Sequence, residues 1–132
     1  MIDVEAVQEG LAKAVAPISG IKQALPAILD SINPPTWGCT EVEIDYNKTF
    51  GDLNEGIFSG GLFTSRADDR AGIQLLNGFL NAGTVKAAIE ADRTLGGACK
   101  TLIVERVKGA YRLYSIGGTD YLGAIFDVRV WS

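Results

Sequence analysis

The stretch Gly117-Gly118-Thr119-Asp120-Tyr121-Leu122-Gly123-Ala124-Ile125-Phe126-Asp127-Val128-Arg129-Val130-Trp131 decides the fold. Leu122, Ala124, Phe126, Val128 and Val130 fall on one side of it, while Tyr121, Gly123, Asp127 and Arg129 fall on the other. A period of two is the signature of a strand with one buried face. Gly117-Gly118, just upstream, supplies the positive φ angles of a tight primed hairpin turn, so an antiparallel strand is expected from Tyr111 to Ile116. Gly109 is expected to turn the chain into that strand from another near Thr101 to Lys108. Three antiparallel strands then close the chain.

Upstream of these strands the period lengthens. Thr84 caps a short helix in which Val85, Ala88 and Ile89 share a face, released at Gly96 and Gly97. Before it, Ser65 with Asp68 resembles a capping box, and Leu75, Leu76, Phe79 and Leu80 form the apolar face of a longer helix ending at Asn81 and Gly83. Strand composition returns from Ile57 to Thr64, with a weak point at Gly60-Gly61. The polar segment Asn47 to Gly56 that precedes it contains Phe50 and Leu53, which makes a hairpin with a long, partly apolar loop. From Trp37 to Tyr46 the chain alternates again: Val42, Ile44 and Tyr46 point one way, and Glu41, Glu43 and Asp45 the other.

At the start, Asp3 is placed to cap a helix whose Val4, Val7, Leu11 and Val15 form a stripe, stopped by Pro17. A short strand around Ile21 to Leu25 follows, then an extended loop carrying Pro26, Pro34 and Pro35. The order α-β-β-β-α-α-β-β-β predicts an α+β fold, a largely antiparallel sheet with helices packed on one face. The 132 residues, 47% of them hydrophobic, match one domain over 1–132 with a substantial core.

Charge and composition narrow the function. With a net charge of -4 and only 12 dispersed Lys and Arg, the chain lacks the clustered cations that grip nucleic acid by neutralising phosphates. It carries no apolar run long enough to span a bilayer and no signal-peptide layout, so no membrane partner is expected and synthesis in the cytoplasm is. Histidine is absent, which removes the usual Ser-His and Cys-His nucleophilic arrangements. Cys39 and Cys99 read as ordinary semi-buried thiols, and neither a metal nor a cofactor is expected.

Each constellation that invites a chemical reading has a plainer one. The carboxylates Glu41, Glu43 and Asp45 read as a solvated strand face, because acid-base work would need two carboxyls converging from different elements. Asp68 and Asp69 fit the favoured acids of a first helical turn. The Gly-Gly pairs at 60, 96 and 117 lack the Lys-Ser or Lys-Thr of a phosphate loop. Trp37, Phe50, Leu53 and Trp131, apolar residues in expected loops or near the terminus, are the candidates for an association surface. No catalytic residue is assigned.

Val85-Lys86-Ala87-Ala88-Ile89-Glu90-Ala91-Asp92, then Thr94-Leu95-Gly96-Gly97-Ala98, and later Gly117-Gly118-Thr119-Asp120-Tyr121-Leu122-Gly123-Ala124 resemble tail terminator proteins of long-tailed phages infecting actinobacteria. Asp30-Ser31-Ile32-Asn33-Pro34-Pro35 before a strand, Asp45-Tyr46 before Phe50-Gly51, and Arg66-Ala67-Asp68-Asp69-Arg70-Ala71 agree in kind, so the resemblance spans nearly the whole chain. One departure is Ser59-Gly60-Gly61, where such proteins usually carry an evenly β-branched strand.

These proteins are similar to the lambda-type tail terminator, and the resemblance implies a non-enzymatic virion protein. It would form a homohexameric ring on the tail tube protein, end tube growth, and join the tube to the head connector or stopper protein at the tail-neck junction. DNA would pass through the ring without specific binding, repelled by acids on the Glu41, Glu43, Asp45 face or in the Asp52 and Glu55 loop. A head-to-tail stopper is the nearest alternative. A cellular small-molecule-binding domain is a third, from another class.

Overall fold

The computed structural model describes residues 2–28, 31–46, 54–65, 70–81 and 83–132. Its elements run α1 (Val4–Val15), β1 (Gln23–Ala27), β2 (Thr36–Asp45), β3 (Glu55–Ser65), α2 (Arg70–Leu80), α3 (Val85–Glu90), β4 (Thr101–Ile116) and β5 (Thr119–Trp131), with one 3-10 turn at Leu95–Gly97. The five strands form one sheet in the order β1-β2-β3-β5-β4. Only β1 and β2 are parallel; the other neighbours are antiparallel. This is the α+β architecture that the periodicities predict, with helices and strands in the expected order and one strand, β4, where two were expected.

Helix α1 forms for the expected reasons. Asp3 adopts extended backbone, its carboxylate accepts the Ala6 N–H, and Val7, Leu11, Ala12 and Val15 are buried at three- and four-residue spacing. In α2 the buried residues are Gly72, Leu76 and Phe79, with Leu75 and Leu80 at the rim. Of the capping box expected at Ser65 and Asp68, Ser65 is the last residue of β3 and Asp68 lies outside the described residues. Thr84 precedes α3 but its hydroxyl donates to the Gly78 carbonyl at 2.9 Å, tying α3 back to α2 instead of capping it.

The helices cover one face of the sheet. Phe58 and Leu62 of β3, Leu122, Ala124, Phe126, Val128 and Val130 of β5, and Leu102 and Val104 of β4 point to that side and meet α1, α2 and α3 in a single core. At 20–33 cal/mol per Å² of apolar surface, burying each such side chain stabilises by about 1.5–3 kcal/mol, and Phe126 is 1% exposed.

Three further expectations change. The strands expected on either side of Gly109 are one sixteen-residue strand, β4, because Gly109 and Tyr111 take positive φ and form a bulge between Lys108 and Arg112 without breaking the pairing to β5. Tyr114 donates its hydroxyl to the Gly109 carbonyl at 2.7 Å and bridges the kink. Gly60-Gly61 is not a weak point either, since β3 runs unbroken for eleven residues between two partners.

Both glycines are there for close approach. The indole of Trp37 lies against Gly60 where a side chain would stand, and Phe63 occupies the same place over Gly61 on the opposite face. Tyr46, expected to point inward with Val42 and Ile44, lies just past the end of β2 and is 71% exposed, because pairing with β3 stops at Asp45.

Candidate functional site

The face of the sheet turned away from the helices is the candidate site. Register places Glu41, Glu43 and Asp45 of β2 opposite Ser59, Ile57 and Glu55 of β3, which in turn sit opposite Asp127, Arg129 and Trp131 of β5. Residues in register share a face, so one surface carries the acidic row, the terminal tryptophan and a set of cross-strand ion pairs. Glu43, Asp45, Glu55 and Ile57 line a shallow depression of about 320 Å³ on it, with Ile44 at its rim.

Charge is graded across this face. The β2 edge of it presents Glu41, Glu43 and Asp45, all exposed. In the middle, Arg129 donates to Glu105 through Nη2 at 3.0 Å and Nε at 3.2 Å, a bidentate fork, and through Nη1 to Glu55. Beside it Asp127, 3% exposed, accepts the Ser59 hydroxyl at 2.9 Å and lies 3.3 Å from the Lys108 ammonium and 3.7 Å from Arg106. Toward the β4 edge the cations Arg106, Lys108 and Arg112 dominate. The buried carboxylate is tolerated because a hydroxyl and two cations compensate its lost hydration.

The other end of the same face is apolar. Phe63 and Tyr121 are buried there with Ile32, and Ile28, Tyr114 and Ile116 pack at the edge. Phe63 and Tyr114 meet edge-on, ring centroids 5.5 Å apart at 71°.

The sequence candidates separate accordingly. Trp131, Glu41, Glu43, Asp45 and Glu55 come together on this face. Trp37 does not: it is a correction to the expected association surface, because it is 1% exposed and packs in the helix-side core with its ring centroid 5.9 Å from that of Phe126. Gly60, diagonal to it across the β2–β3 pair, makes the room, so Trp37 works as core. Glu55 is a second correction: it begins β3 instead of standing in a loop, is 8% exposed, and its carboxylate is engaged by Arg129. Phe50, Asp52 and Leu53 lie outside the described residues. Sequence reasoning did not single out Arg129, Asp127 or Ser59; a charge inside an alternating strand, which Asp127 and Arg129 both are, was the signal.

Perturbed protonation occurs mostly away from this face. Burial acts to raise the Glu90 pKa, but hydrogen bonds from Lys86 and from the Val104 N–H, with the charges of Lys86 and Arg93, hold it below the ordinary value. Hydrogen bonds from Thr94 and the Gly96 N–H likewise hold Asp92 low, which stabilises the turn after α3. Cys39 and Cys99 are free, buried thiols, both pushed upward chiefly by burial.

No protein-family model matches the chain, and no curated protein does either. Among the described residues, no group of three or more His, Cys, Asp or Glu is placed to hold a metal, and no helix is long and apolar enough to cross a membrane. The open face presents charge: Glu43, Asp45 and Glu55 gather around its depression, Glu55 engaged by Arg129, and the buried Asp127 is compensated by Ser59, Lys108 and Arg106.

Proposed function

We propose that this protein is a structural virion component, a tail terminator that caps the phage tail tube as a homohexameric ring and forms the joint to the head connector. The reading rests on the resemblance described above. The observation that carries it furthest is a sheet with its helices all on one side, leaving an open charged face and a long uncapped edge strand, β4, available for association.

In this reading the work is done by surfaces. One side of the ring reproduces a tube subunit's docking surface, while the other side cannot template a further ring, so growth ends by mismatch. Glu41, Glu43 and Asp45 face the channel. Six copies at -4 each surround the DNA with like charge, and it slides through without counterion-release binding. Trp131, and Phe50 and Leu53 of the segment between β2 and β3, contribute contacts to the tube or to neighbouring subunits. The protein resides at the tail-neck junction after assembly in the host cytoplasm.

Purified protein added to polymerising tail-tube subunits tests this. Short, capped tubes are expected in electron micrographs, and Phe50→Asp should reduce capping while circular dichroism stays unchanged. Binding to the head connector with tube growth unaffected would instead identify a stopper. Turnover of a small-molecule substrate would remove the structural reading altogether.

A further inference from the structure

Two stretches of strand edge have no partner strand among the described residues. Strand β1 lies along β2 only as far as Cys39, where Ala27 is its last partner and the Ile28 N–H donates to the Cys39 carbonyl. From 40 to 44, the edge of β2 turned away from β3 is therefore open. At the far side of the sheet β4 pairs with β5 alone, so its last stretch, 112–116, past the bulge at Gly109, also has one open edge. The two stretches match in length. By contrast β1, the outermost strand on the other side, is short and contains Pro26, which cannot donate to a ladder.

Their side chains match as well. On β2, Glu43 faces the open side of the sheet with Ile57 of β3, and Val42 faces the helix side with Phe58. On β4, Arg112 faces the open side opposite Gly123, and Leu113 the helix side opposite Leu122. Glu43 and Arg112 are both exposed, and neither makes an ion pair among the described residues. Val42 is half-buried and Leu113 is 49% exposed, so each has apolar surface left to cover. Arg106 and Lys108, already held by Asp127, lie before the bulge and take no part.

We infer that residues 112–116 of one copy add as an antiparallel strand to residues 40–44 of the next, with Arg112 opposite Glu43 and Leu113 opposite Val42, so that one sheet runs from subunit to subunit. This inference rests on the ring reading above and supplies its subunit contact. Three antiparallel pairings separate β2 from β4, so the two run in opposite directions within one chain. A neighbour rotated about an axis along the strands keeps those directions, and its β2 meets β4 antiparallel without distortion. The same register sets open side beside open side and helix side beside helix side, whereas a slip by one residue would bury the charges against the apolar pair. Charge decides against a two-fold contact: pairing two β2 edges would oppose Glu41 and Glu43 to themselves, which is unfavourable for facing strand residues. Because the two stretches lie on opposite sides of one sheet, each copy takes two neighbours head to tail, the geometry that closes rings.

Glu43→Cys and Arg112→Cys test the contact, both at exposed positions where the monomer keeps its fold by circular dichroism, and the native thiols Cys39 and Cys99 are buried. Facing strand residues bring their Cβ atoms to about 4.5–5.5 Å, close to disulfide reach. Mild oxidation of an equal mixture of the two variants should therefore give a disulfide-linked pair of chains, and neither variant alone should. Glu43→Arg and Arg112→Glu should each weaken self-association about tenfold in light-scattering mass measurements, and combining them in one chain should restore it. Linked pairs from either cysteine variant alone would overturn the contact in favour of a two-fold one. A mixture that stays unlinked while the wild-type chain assembles would overturn it and leave the ring reading standing. A wild-type chain that cross-links to no second copy, in solution or on tube ends, would overturn both.

Discussion

Gly60→Ala should be among the most damaging small changes in this protein. The added methyl would stand inside the Trp37 indole, which is 1% exposed and held on its other side by Phe126. Trp37 is also paired through its backbone to Leu62 and Ala24, so the ring cannot retreat without moving two strands. Overpacking of this kind costs about 1–3 kcal/mol, and a large rigid ring belongs at the upper end. Losing a glycine's freedom in the unfolded chain returns about 0.4–1 kcal/mol. The net loss is therefore about 2 kcal/mol, a fall in Tm of about 6–10 °C for a domain of this size.

Urea unfolding followed by far-ultraviolet circular dichroism measures it, with an unchanged m-value showing that the same transition is being compared. The control is the same substitution beside Trp37→Leu. That change alone should cost about 2–4 kcal/mol through the cavity it leaves. In its background Gly60→Ala should cost less than about 0.5 kcal/mol, giving a coupling energy near 2 kcal/mol. Equal costs in the two backgrounds would refute the claim that the glycine exists to admit the indole.

Phe126→Asp places a carboxylate at a 1% exposed position in the middle of the core and should leave no cooperative unfolding transition; a folded variant would mean the register of β5 is wrong. Glu90 has a folded pKa below its unfolded value, so its stabilising contribution is complete above the unfolded value near 4.5 and is lost as pH falls through the folded pKa. The stability gap between wild type and Glu90→Gln should accordingly close on acidification below pH 4.5, and a gap independent of pH would contradict the assignment. Cys39 and Cys99, buried with raised pKa values, should react with a thiol reagent far more slowly in native than in denaturing buffer, and rapid native labelling would show that either is accessible.

Much of the fold was legible in periodicity. The three- and four-residue spacing of Val7, Leu11 and Val15 and the alternation from Leu122 to Val130 are direct records of burial on one face, and both elements stand where expected. Misreadings arose where one residue type serves two physical ends. Gly109 permits a turn or a bulge equally, and only the continued pairing of β4 with β5 on both sides of it distinguishes them. Gly60 in a strand signals either weakness or close approach, and the deciding partner, Trp37, lies in another strand.

The candidate site was legible by residue type but not by relation. The acidic row of β2 was visible as alternation. That Glu55 is engaged by Arg129, and that Asp127 accepts from Ser59, depends on pairing between strands more than sixty positions apart, which no local pattern encodes. The exposure of Leu113 was hidden for a related reason: Leu113 and Leu122 look equally apolar, yet Leu113 is 49% exposed on the edge strand and Leu122 1% exposed in the middle of the sheet.

The order β1-β2-β3-β5-β4 has a consequence for biosynthesis. Strand β5 is made after all the others, yet it lies between β3 and β4 and supplies the partner for both. Until the ribosome has delivered it, β3 lacks one neighbour, β4 lacks its only one, and the apolar side of each has no completed wall to bury against. Contacts so distant along the chain form slowly, and the waiting strands are sticky meanwhile. Nascent chains of this protein are therefore expected to lean on chaperones late in translation, and stop codons upstream of Tyr121 to yield aggregates rather than a smaller folded domain.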